Sequence, residues 1–305
     1  MDLSIIIVNW NTRDLLAQCL QSVYDTVQGL AFEVFVVDNA STDGSADMVR
    51  GRFPGVQLIE NAENVGFARA NNQAMSSTTG RHILLLNPDT IVPPDAVSAL
   101  SRCLDANPQA GVVGPQLLNM DGSLQESWAQ FPGLVSEVPV LGRRLTQKPR
   151  GFKPAAGDAP SAWLVDWVSG ACFMVKRAVL DSVGDFDESY WLYTEETDWC
   201  YRIWRAGWEV LFLPQVQIIH IARAASKQLY VRTFLQYHRS RFQFVRQHGG
   251  TIEATLLRGL VAAKSVLRLV WVKNSSLARL VPEQPVSAIR HAHWRLFKLC
   301  MGFEA

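Results

Sequence analysis

Short runs of predominantly apolar, mostly β-branched residues recur along the first part of the chain. Each run is too short for a helix, and its apolar character favours a strand buried on both faces of a sheet. Segments of helix length separate the runs, so the alternation predicts a mostly parallel, doubly wound α/β sheet. The strands are predicted at residues 4–8, 34–37, 56–59 and 83–86, and the helices at 12–27, from 41 onward, at 67–75 and at 94–107.

Polar side chains follow these strands at the ends where sheets of this kind bind ligands. A buried carboxylate such as Asp38 is costly without a partner. Asp38 either caps the next helix or accepts a hydrogen bond from a nucleotide base. The second role is open to it because Ser41 or Asp43 can serve as the cap. Asp89 lies either in an ordinary turn or beside a divalent cation whose ligand shell substrate phosphates complete. The polar residues at the strand ends are Asn9, Asp38, Asn61 to Asn64 and Asn87-Pro88-Asp89.

The pattern changes after residue 113. A hairpin turn is predicted at residues 119–122. Residues 131–162 contain five prolines and a basic cluster, which predicts a long mobile loop, because loops of this length in compact domains are usually functional lids or disordered. Beyond it we expect a strand at 165–175, a short helix from Lys176, a helix at 195–206 closed by Gly207, and a pair of short strands ending at His220. The basic cluster consists of Arg143, Arg144, Lys148, Arg150 and Lys153.

Three acidic residues lie at the start of the predicted helix at 195–206, namely Glu195, Glu196 and Asp198. Repulsion or burial can raise the pKa of one of them until it serves as a base near neutral pH, whereas the helix dipole favours the anions. The alternative is a solvated helix start in which Asp198 pairs with Arg202. His220 at a strand end is either a structural residue or, together with Asp89, a metal or phosphate ligand.

Charge is distributed unevenly over the 305 residues. The chain is 48% apolar and 19% charged, which is enough apolar material for a folded core. The formal net charge is +1, but residues 1–219 carry 15 Lys and Arg against 25 Asp and Glu, and residues 220–305 carry 14 against 3. Five cysteines without a Cys-x-x-Cys pair, no signal-peptide pattern and no long apolar span predict a reduced, cytoplasmic protein.

The basic tail is predicted to be helical, most strongly at residues 256–272. At 100° per residue, Arg258, Lys264 and Arg268 share an arc of roughly 120°. The helix is either an ordinary surface helix packed through its apolar side, a dimer surface, or an interfacial helix on the anionic inner face of a membrane. Nucleic-acid binding is disfavoured because no reader motif is present, and His291 and His293 are expected at the surface. The apolar side consists of Leu256, Leu260, Ala263, Leu267, Val270 and Trp271.

Six motifs in this order over roughly residues 1–245 resemble glycosyltransferase family 2, within it the rhamnosyltransferase-like branch. No Gly-x-Gly-x-x-Gly or Gly-x-x-x-x-Gly-Lys motif is present to favour a dehydrogenase or a P-loop protein. The resemblance implies a GT-A fold, that is, a Rossmann-like sheet with a small antiparallel portion, followed here by a helical C-terminal extension. The motifs are centred on Asn9-Trp10-Asn11, Asp38-Asn39, Asn64-Val65-Gly66, Asn87-Pro88-Asp89, Trp167 to Gly170, and Glu195-Glu196.

The resemblance also implies a role for each matching residue. Asp38 would contact the uracil or thymine of a nucleotide-sugar, with Asn9, Asn39, Asn64, Gly66 and Asn87 around the donor. Asp89 would hold Mg²⁺ or Mn²⁺ against the diphosphate, with His220 as a further ligand, although Asn87 replaces the first Asp of the family's Asp-x-Asp element. Trp167 and Gly170 would lie near the acceptor. Glu196 would be the base, with Glu195 as the alternative base or an acceptor contact.

These expectations combine into one hypothesis. An inverting, metal-dependent glycosyltransferase would move a sugar, such as rhamnose, from a UDP- or dTDP-sugar to a hydroxyl of a glycan or polyprenyl-linked acceptor in cell-surface polysaccharide assembly. The alternative is a catalytically inactive nucleotide-sugar-binding protein. The predicted domains are a transferase domain at 1–225, with a nucleotide-binding half at 1–113 and an acceptor half at 114–225, and a basic helical region at 226–305.

Overall fold

A computed structural model describes residues 1–137, 149–154, 160–221, 230–270 and 284–303. The described residues divide into two units. The first unit contains residues 1–131, 149–154, 160–191 and 195–221, and the second contains 132–137, 192–194, 230–270 and 284–303. The two units are described in turn.

Ten strands of the first unit form one sheet, within the described part of the chain. Its order is β3-β2-β1-β4-β11-β6-β12-β9-β8, with β5 paired to β12, while β7 and β10 form a separate two-stranded ladder. The strands are β1 Leu3–Asn9, β2 Phe32–Asp38, β3 Gln57–Glu60, β4 His82–Leu86, β5 Thr90–Ile91, β6 Ala110–Leu118, β7 Trp128–Ala129, β8 Gly151–Lys153, β9 Ala162–Leu164, β10 Trp167–Val168, β11 Cys172–Lys176 and β12 Glu209–His220.

Helices cover both faces of this sheet. Alternate residues of a strand point to opposite faces, so Ile5 and Ile7 lie in one apolar core and Ile6 lies in the other. The first core includes residues of α1, α2 and α4, and the second includes residues of α3, α5 and α6. The helices are α1 Arg13–Thr26, α2 Ser45–Arg52, α3 Phe67–Met75, α4 Ala96–Ala106, α5 Arg177–Val183 and α6 Glu195–Arg205.

The strand directions bring several chain segments to one edge of the sheet. β1, β2, β3 and β4 are parallel, and β11 runs antiparallel to both β4 and β6. Cys172 at the start of β11 therefore lies opposite Leu86 at the end of β4. Because β12 is parallel to β6, its last residue, His220, reaches the same side. We call this side, with the carboxyl ends of β1, β2, β4, β6 and β12 and the amino end of β11, the carboxyl edge.

The predicted doubly wound α/β fold is confirmed, and the four N-terminal strands and helices lie within a few residues of their predicted bounds. The hairpin turn at 119–122 is also confirmed, because Leu118 pairs with Leu124 and the Gly122 amide donates to the Asn119 carbonyl at 2.9 Å. One detail is wrong. β3 is not buried on both faces, since it is an edge strand in which Gln57 and Glu60 are exposed.

The mobile-loop prediction for residues 131–162 is wrong for two of its described parts. Residues 151–153 form β8, and the β9 strand begins at Ala162. Two residues of the predicted basic cluster are held by ion pairs: Arg150 with the buried Asp166, and Lys153 with Glu209 at 2.6 Å. Arg143, Arg144 and Lys148 lie outside the described residues.

Two strand predictions in the second half of the unit are also wrong. The strand predicted at 165–175 is interrupted at Ser169-Gly170, where the chain turns between β10 and β11. The pair of short strands predicted before His220 is one strand, β12, whose pairing with β6 shifts register between Leu213 and Gln217. This shift accommodates Pro214, which has no amide hydrogen to donate to the neighbouring strand.

The second unit contains three long helices, as predicted for the tail: α7 Tyr230–His248, α8 Gly250–Val270 and α9 Val286–Met301. Leu257 and Val261 of α8 and Leu296 of α9 are buried in this unit. The Arg258 guanidinium lies over the Phe242 ring at 5.6 Å. Among the described residues, no helix is long and apolar enough to cross a membrane.

The structure contradicts one of the three alternatives for the amphipathic helix and one expectation for the histidines of the tail. The alternative of a surface helix packed through its apolar side is wrong, since Leu256, Leu267 and Val270 are exposed. His293 is buried, unlike the exposed His291. Its ring packs edge-on against Phe234 at 5.2 Å, and burial, followed by the nearby Arg268 charge, lowers its pKa from 6.5 to about 4. The imidazole is therefore neutral at pH 7, and its Nε2 lies 3.4 Å from Arg268 Nη1. Trp271 lies outside the described residues.

Candidate active site

Asp38 ends β2 at the carboxyl edge and is held by two hydrogen bonds. Its Oδ2 accepts from Asn9 Nδ2 at 2.9 Å, and its Oδ1 accepts from the Ser41 amide at 2.8 Å. Asp43, rather than Asp38, bonds the Ser45 amide at the start of α2. Each Asp38 oxygen keeps a second lone pair for another donor. The side chain is therefore oriented without being saturated, as a base-binding carboxylate requires.

Asn9 lies behind Asp38 and is completely buried. Its Nδ2 donates to Asp38 and also to Ser41 Oγ at 3.1 Å, and its Oδ1 accepts from the Thr12 hydroxyl at 2.6 Å. The side chain has no exposed surface, and its polar atoms are bonded within the protein. These contacts orient Asp38, and a direct contact of Asn9 with a donor stays a prediction.

Asn39 links the two loops that follow β2 and β3. Its Nδ2 donates to the Gly66 carbonyl at 3.1 Å, and its Oδ1 accepts from Asn61 Nδ2 at 2.8 Å. Asn64 closes the second loop by accepting a hydrogen bond from the Gly66 amide at 3.0 Å. These contacts connect the two loops beside Asp38, so Asn39 helps to shape the wall that they form.

Gly66 begins α3 in a conformation that is essentially restricted to glycine, with φ +89° and ψ 176°. A Cβ atom there would lie 2.6 Å from both Trp191 Cδ1 and the Trp191 carbonyl oxygen. The same carbonyl accepts a hydrogen bond from the Phe67 amide at 2.9 Å. The absence of a side chain at Gly66 thus lets Trp191 close over the helix start.

We expect Gly66→Ala to lower the free energy of unfolding by about 2 to 5 kcal/mol, from backbone strain together with overpacking against Trp191. Gly29→Ala is the matched control, because Gly29 also has a positive φ of +73° but its added Cβ would meet no atom within 4 Å. The control is expected to lose only about 1 to 2 kcal/mol. Urea unfolding of both variants measures the difference, and equal losses would contradict the close-packing explanation.

Asp89 and His220 form the second polar group at the carboxyl edge. His220 Nε2 lies 3.2 Å from Asp89 Oδ1, and the Asp89 carbonyl accepts the Ile221 amide at 2.8 Å. Asn87 Nδ2 is 3.4 Å from the same His220 nitrogen. The structure thus brings Asn87, Asp89 and His220 together, although 133 residues separate Asn87 from His220.

The hydrogen bonds of Gln125 determine which nitrogen of His220 carries the proton. Gln125 Nε2 donates to the His220 carbonyl at 2.6 Å and to Asn119 Oδ1 at 2.9 Å. The amide oxygen of Gln125 is therefore the atom 2.9 Å from His220 Nδ1, and it accepts a hydrogen bond from the N–H at that nitrogen. In the neutral ring, the Nε2 lone pair then faces Asp89, so two electron-rich atoms point toward one position.

This arrangement fits a divalent cation. Metal-binding histidines commonly donate their second N–H to an oxygen that fixes the tautomer, as Gln125 does here. No group of three or more His, Cys, Asp and Glu side chains suited to a metal occurs in the part of the chain that the structure describes. Asp89 and His220 together supply two ligands, which suits a Mg²⁺ or Mn²⁺ whose remaining ligands are phosphate oxygens and water.

Glu195 and Glu196 begin α6 and differ in environment. Glu195 is buried, and burial together with the neighbouring Glu196 charge raises its pKa well above 4.5. Its Oε2 has no hydrogen-bond partner among the described residues. Glu196 is partly exposed and lies against Gly170, where an added Cβ would be 3.7 Å from the Glu196 Cβ. Burial thus favours the neutral form of Glu195, and Glu196 is the more exposed of the two carboxyl groups.

Gly170 connects Glu196 to the rest of the carboxyl edge. The residue after it, Ala171, accepts a hydrogen bond from the Asn87 amide at 2.9 Å. Trp167, three residues earlier, lies in β10 and donates its indole N–H to the Gln130 carbonyl at 3.0 Å. The turn between β10 and β11 thus brings Glu196 and Gly170 alongside Asn87, with Trp167 in the preceding strand.

The alternative for this helix start is wrong about solvation, but the ion pair that it predicted between Asp198 and Arg202 is confirmed. Asp198 is completely buried, and its Oδ2 accepts from Arg202 Nε at 2.8 Å. Arg202 also donates to the Asp185 carbonyl at 2.7 Å. Trp199 is buried too, with its ring stacked 5.5 Å from Phe173. Asp198 and Arg202 therefore anchor α6, and Trp199 belongs to the core.

Comparison with known proteins identifies the family. Residues 4–184 match the family model described as glycosyl transferase family 2. The chain belongs to glycosyl transferase family 2. It is 30% identical over 265 residues to the N-acetylglucosaminyl-diphospho-decaprenol L-rhamnosyltransferase of Mycobacterium tuberculosis (strain CDC 1551 / Oshkosh), covering 81% of this chain and 85% of that protein. It is 24% identical over 251 residues to rhamnosyltransferase WbbL of Escherichia coli (strain K12), covering 79% and 91%.

Solved structures agree with the fold of this family 2 glycosyltransferase. The mannosyltransferase PcManGT of Pyrobaculum calidifontis, solved with GDP-Man and Mn²⁺, superposes with a TM-score of 0.60 at 18% identity, covering 99% of this chain and 86% of that one. At this identity the likeness shows the fold alone. The GT-A fold and the rhamnosyltransferase-like character predicted from the motifs are both confirmed.

Two contributors to the site of this family 2 enzyme were not predicted. Gln125 orients His220 from the hairpin strand, and Trp191 closes over Gly66. Gln125 is 95 residues from His220, and it carries no local signal because a glutamine after a turn is unremarkable. Trp191 is four residues before the Glu195-Glu196 motif, and this closeness in sequence could have indicated that it lies near the site.

Proposed function

We propose that the protein is an inverting rhamnosyltransferase that uses a UDP- or dTDP-linked sugar and a lipid-linked glycan acceptor. The observation that carries the proposal is the set of three polar groups at one edge of the sheet: Asp38 with its network, Asp89 with His220, and Glu196 beside Gly170. The names of two relatives support the choice of sugar and acceptor class. Both are named as rhamnosyltransferases, and the name of one includes a decaprenol-linked acceptor.

The proposed reaction is a single displacement at the anomeric carbon. The acceptor hydroxyl gives its proton to Glu196, and its oxygen forms the new glycosidic bond. The bond from the anomeric carbon to the diphosphate oxygen breaks, and its electron pair stays on the nucleoside diphosphate. Because attack and departure occur on opposite faces of the carbon, the configuration inverts.

The other residues bind and orient the substrates in this proposal. Asp38 accepts a hydrogen bond from the pyrimidine base, while Asn64 and Gly66 form the adjacent loop wall. Asp89 and His220 would hold a divalent cation, which would supply electrostatic stabilisation of the charge on the diphosphate. Trp167 and Gly170 lie on the acceptor side. Asn87 contacts the same His220 nitrogen that would bind the cation.

Thermal stabilisation followed by transfer tests this function. Among UDP- and dTDP-sugars with Mg²⁺ or Mn²⁺, a rhamnose donor is expected to raise Tm most, since a ligand at about 100 times its Kd stabilises the folded state by about 2.7 kcal/mol. Mass spectrometry should then show one added deoxyhexose on an N-acetylglucosaminyl-diphospho-polyprenol, with inverted configuration by NMR. Donor binding without transfer to any glycan would favour the inactive nucleotide-sugar-binding alternative, and stabilisation by a hexose donor alone would contradict rhamnose.

A further inference from the structure

Helix α8 has two apolar faces on opposite sides. One face is buried within the helical unit and includes Ala254, Leu257 and Val261. The opposite face lies within an arc of about 100° and is exposed over a length of roughly 27 Å. We call it the α8 stripe. It consists of Ile252, Leu256, Gly259, Ala263, Val266, Leu267 and Val270.

The exposure of the α8 stripe is high for apolar side chains. Ile252 is 80% exposed, Val270 68%, Leu256 56% and Leu267 54%. An isolated exposed leucine needs no explanation, but a continuous apolar band along a whole helix usually marks an interaction surface. The basic side chains of α8 do not interrupt the band, because they lie on other sides of the helix.

The stripe widens at its carboxyl-terminal end into a groove shared with α9. This groove has a volume of about 480 Å³ and is lined by Val266, Leu269 and Val270 of α8 and by Arg290, His291 and Trp294 of α9. Trp294 is 49% exposed, although tryptophan is costly to leave in water. A tryptophan beside an apolar band is typical of surfaces that sit at the boundary between lipid and water.

The charge of the helical unit selects among occupants of the stripe. The described parts of α7, α8 and α9 carry ten Lys and Arg but, among these residues, one acidic side chain, Glu253. A second copy of the chain would bring the same positive charge to the interface, which opposes self-association. An anionic bilayer would instead be attracted, by roughly 1 kcal/mol for each basic residue near its surface.

We propose that the α8 stripe and Trp294 insert into the headgroup region of an anionic membrane, with α8 lying parallel to the bilayer plane. This orientation agrees with the absence of a membrane-crossing helix among the described residues. The surface needs no assumption about sugar transfer. Combined with the proposed function, it holds the enzyme on the bilayer to which a polyprenyl-linked acceptor is confined.

Co-sedimentation with vesicles tests the proposal without donor or acceptor. The full chain is expected to bind vesicles of phosphatidylcholine with about 30% phosphatidylglycerol and to bind pure phosphatidylcholine at least tenfold more weakly. The double variant Leu256→Gln/Leu267→Gln should lower the partition coefficient about a hundredfold, since each leucine loses its burial in lipid. Leu124→Gln is the matched control, because Leu124 is 70% exposed in the first unit and should bind like the wild type.

Three results would overturn the proposal. The first is that the double variant binds vesicles as well as the wild type does, and the second is that the wild type binds neutral and anionic vesicles equally. The third is that light scattering shows a dimer for the wild type and a monomer for the double variant, which would assign the stripe to a second copy of the chain. Binding should also weaken as salt rises from about 0.1 M to about 1 M, which shortens the Debye length from roughly 10 to 3 Å. Transfer to a short, water-soluble acceptor should survive in the double variant, so a loss of membrane binding is distinguishable from a loss of catalysis.

Discussion

Replacing Glu196 by glutamine is expected to lower kcat about a hundredfold to ten-thousandfold, the range that a general base contributes. Glutamine keeps the shape of the side chain beside Gly170 but cannot accept the acceptor's proton. The donor Kd should stay within about threefold, because the base-binding network at Asp38 does not include Glu196. Steady-state kinetics and calorimetric donor titration measure the two quantities separately.

Glu195→Gln discriminates between the two carboxylates of the pair. Because burial raises the pKa of Glu195 well above 4.5, glutamine there imitates the neutral form of the acid, which burial favours. If Glu196 is the base, Glu196→Gln should be by far the slower of the two variants and should lose the acidic limb of the pH–rate profile. Glu188→Gln is the control, since Glu188 is half exposed and contacts Asn72 and Arg69 instead. A reversed order of the two variants would assign the base to Glu195.

The central sheet was predictable because its signal is local. The apolar runs at β1, β2 and β4 are buried on both faces, and the helix-length segments between them leave a crossover as the simplest connection. The same reasoning fails for β8 and β9. Each has three residues, and Gly151 pairs with Leu164 only because β12 supplies an edge for β9. Strands this short are determined by their neighbours in the sheet rather than by their own sequence.

The points at which strands end or continue were harder to predict than the strands themselves. Pro214 has the appearance of a strand end, yet β12 continues past it with a shift of register. Ser169-Gly170 has the appearance of a strand interior, yet it is the turn that brings Gly170 to Glu196. In both cases tertiary pairing, rather than local preference, decides whether the strand continues.

Part of the candidate site followed from the strand-end rule alone. Asp38 and Asp89 come directly after strands, so a parallel sheet must bring them to the same edge. The orientation of each side chain did not follow, because it depends on contacts between distant segments. Asn9 donates a hydrogen bond to Asp38, and His220 depends on Gln125 for its tautomer. Sequence patterns thus located the residues, while hydrogen bonds across the fold distinguish ligand-binding groups from those that orient them.

For the basic tail, the sequence predicted the helices but not which of their faces are exposed. Its helices and their charge were evident from the sequence, but periodicity alone could not say which face of α8 is turned outward. With two apolar faces on one helix, only packing decides: Leu257 and Val261 are buried and Leu256 and Leu267 are left exposed. The residues of this exposed face are those that we propose to contact the membrane.

Asp89→Asn is expected to abolish binding of Mn²⁺ in the presence of a nucleoside diphosphate and to lower kcat at least about a hundredfold, since a bound cation supplies several kcal/mol of charge stabilisation. Asparagine keeps the size of the side chain but removes the negative charge that balances the cation beside His220. Calorimetric titration of Mn²⁺ gives a readout independent of activity, and chelation by EDTA should reduce wild-type turnover to the level of the variant.

Asp121→Asn provides the matched control for charge. Asp121 is an exposed carboxylate in the hairpin turn, where it accepts hydrogen bonds only from Ser123 in the described contacts, at 2.9 Å from the amide and 2.6 Å from the hydroxyl. It should keep wild-type metal affinity and turnover. If Asp89→Asn bound Mn²⁺ like the control and EDTA left the wild type unaffected, the Asp89 and His220 pair would be an ordinary ion pair. The charge of the departing diphosphate would then have to be stabilised by groups other than a divalent cation.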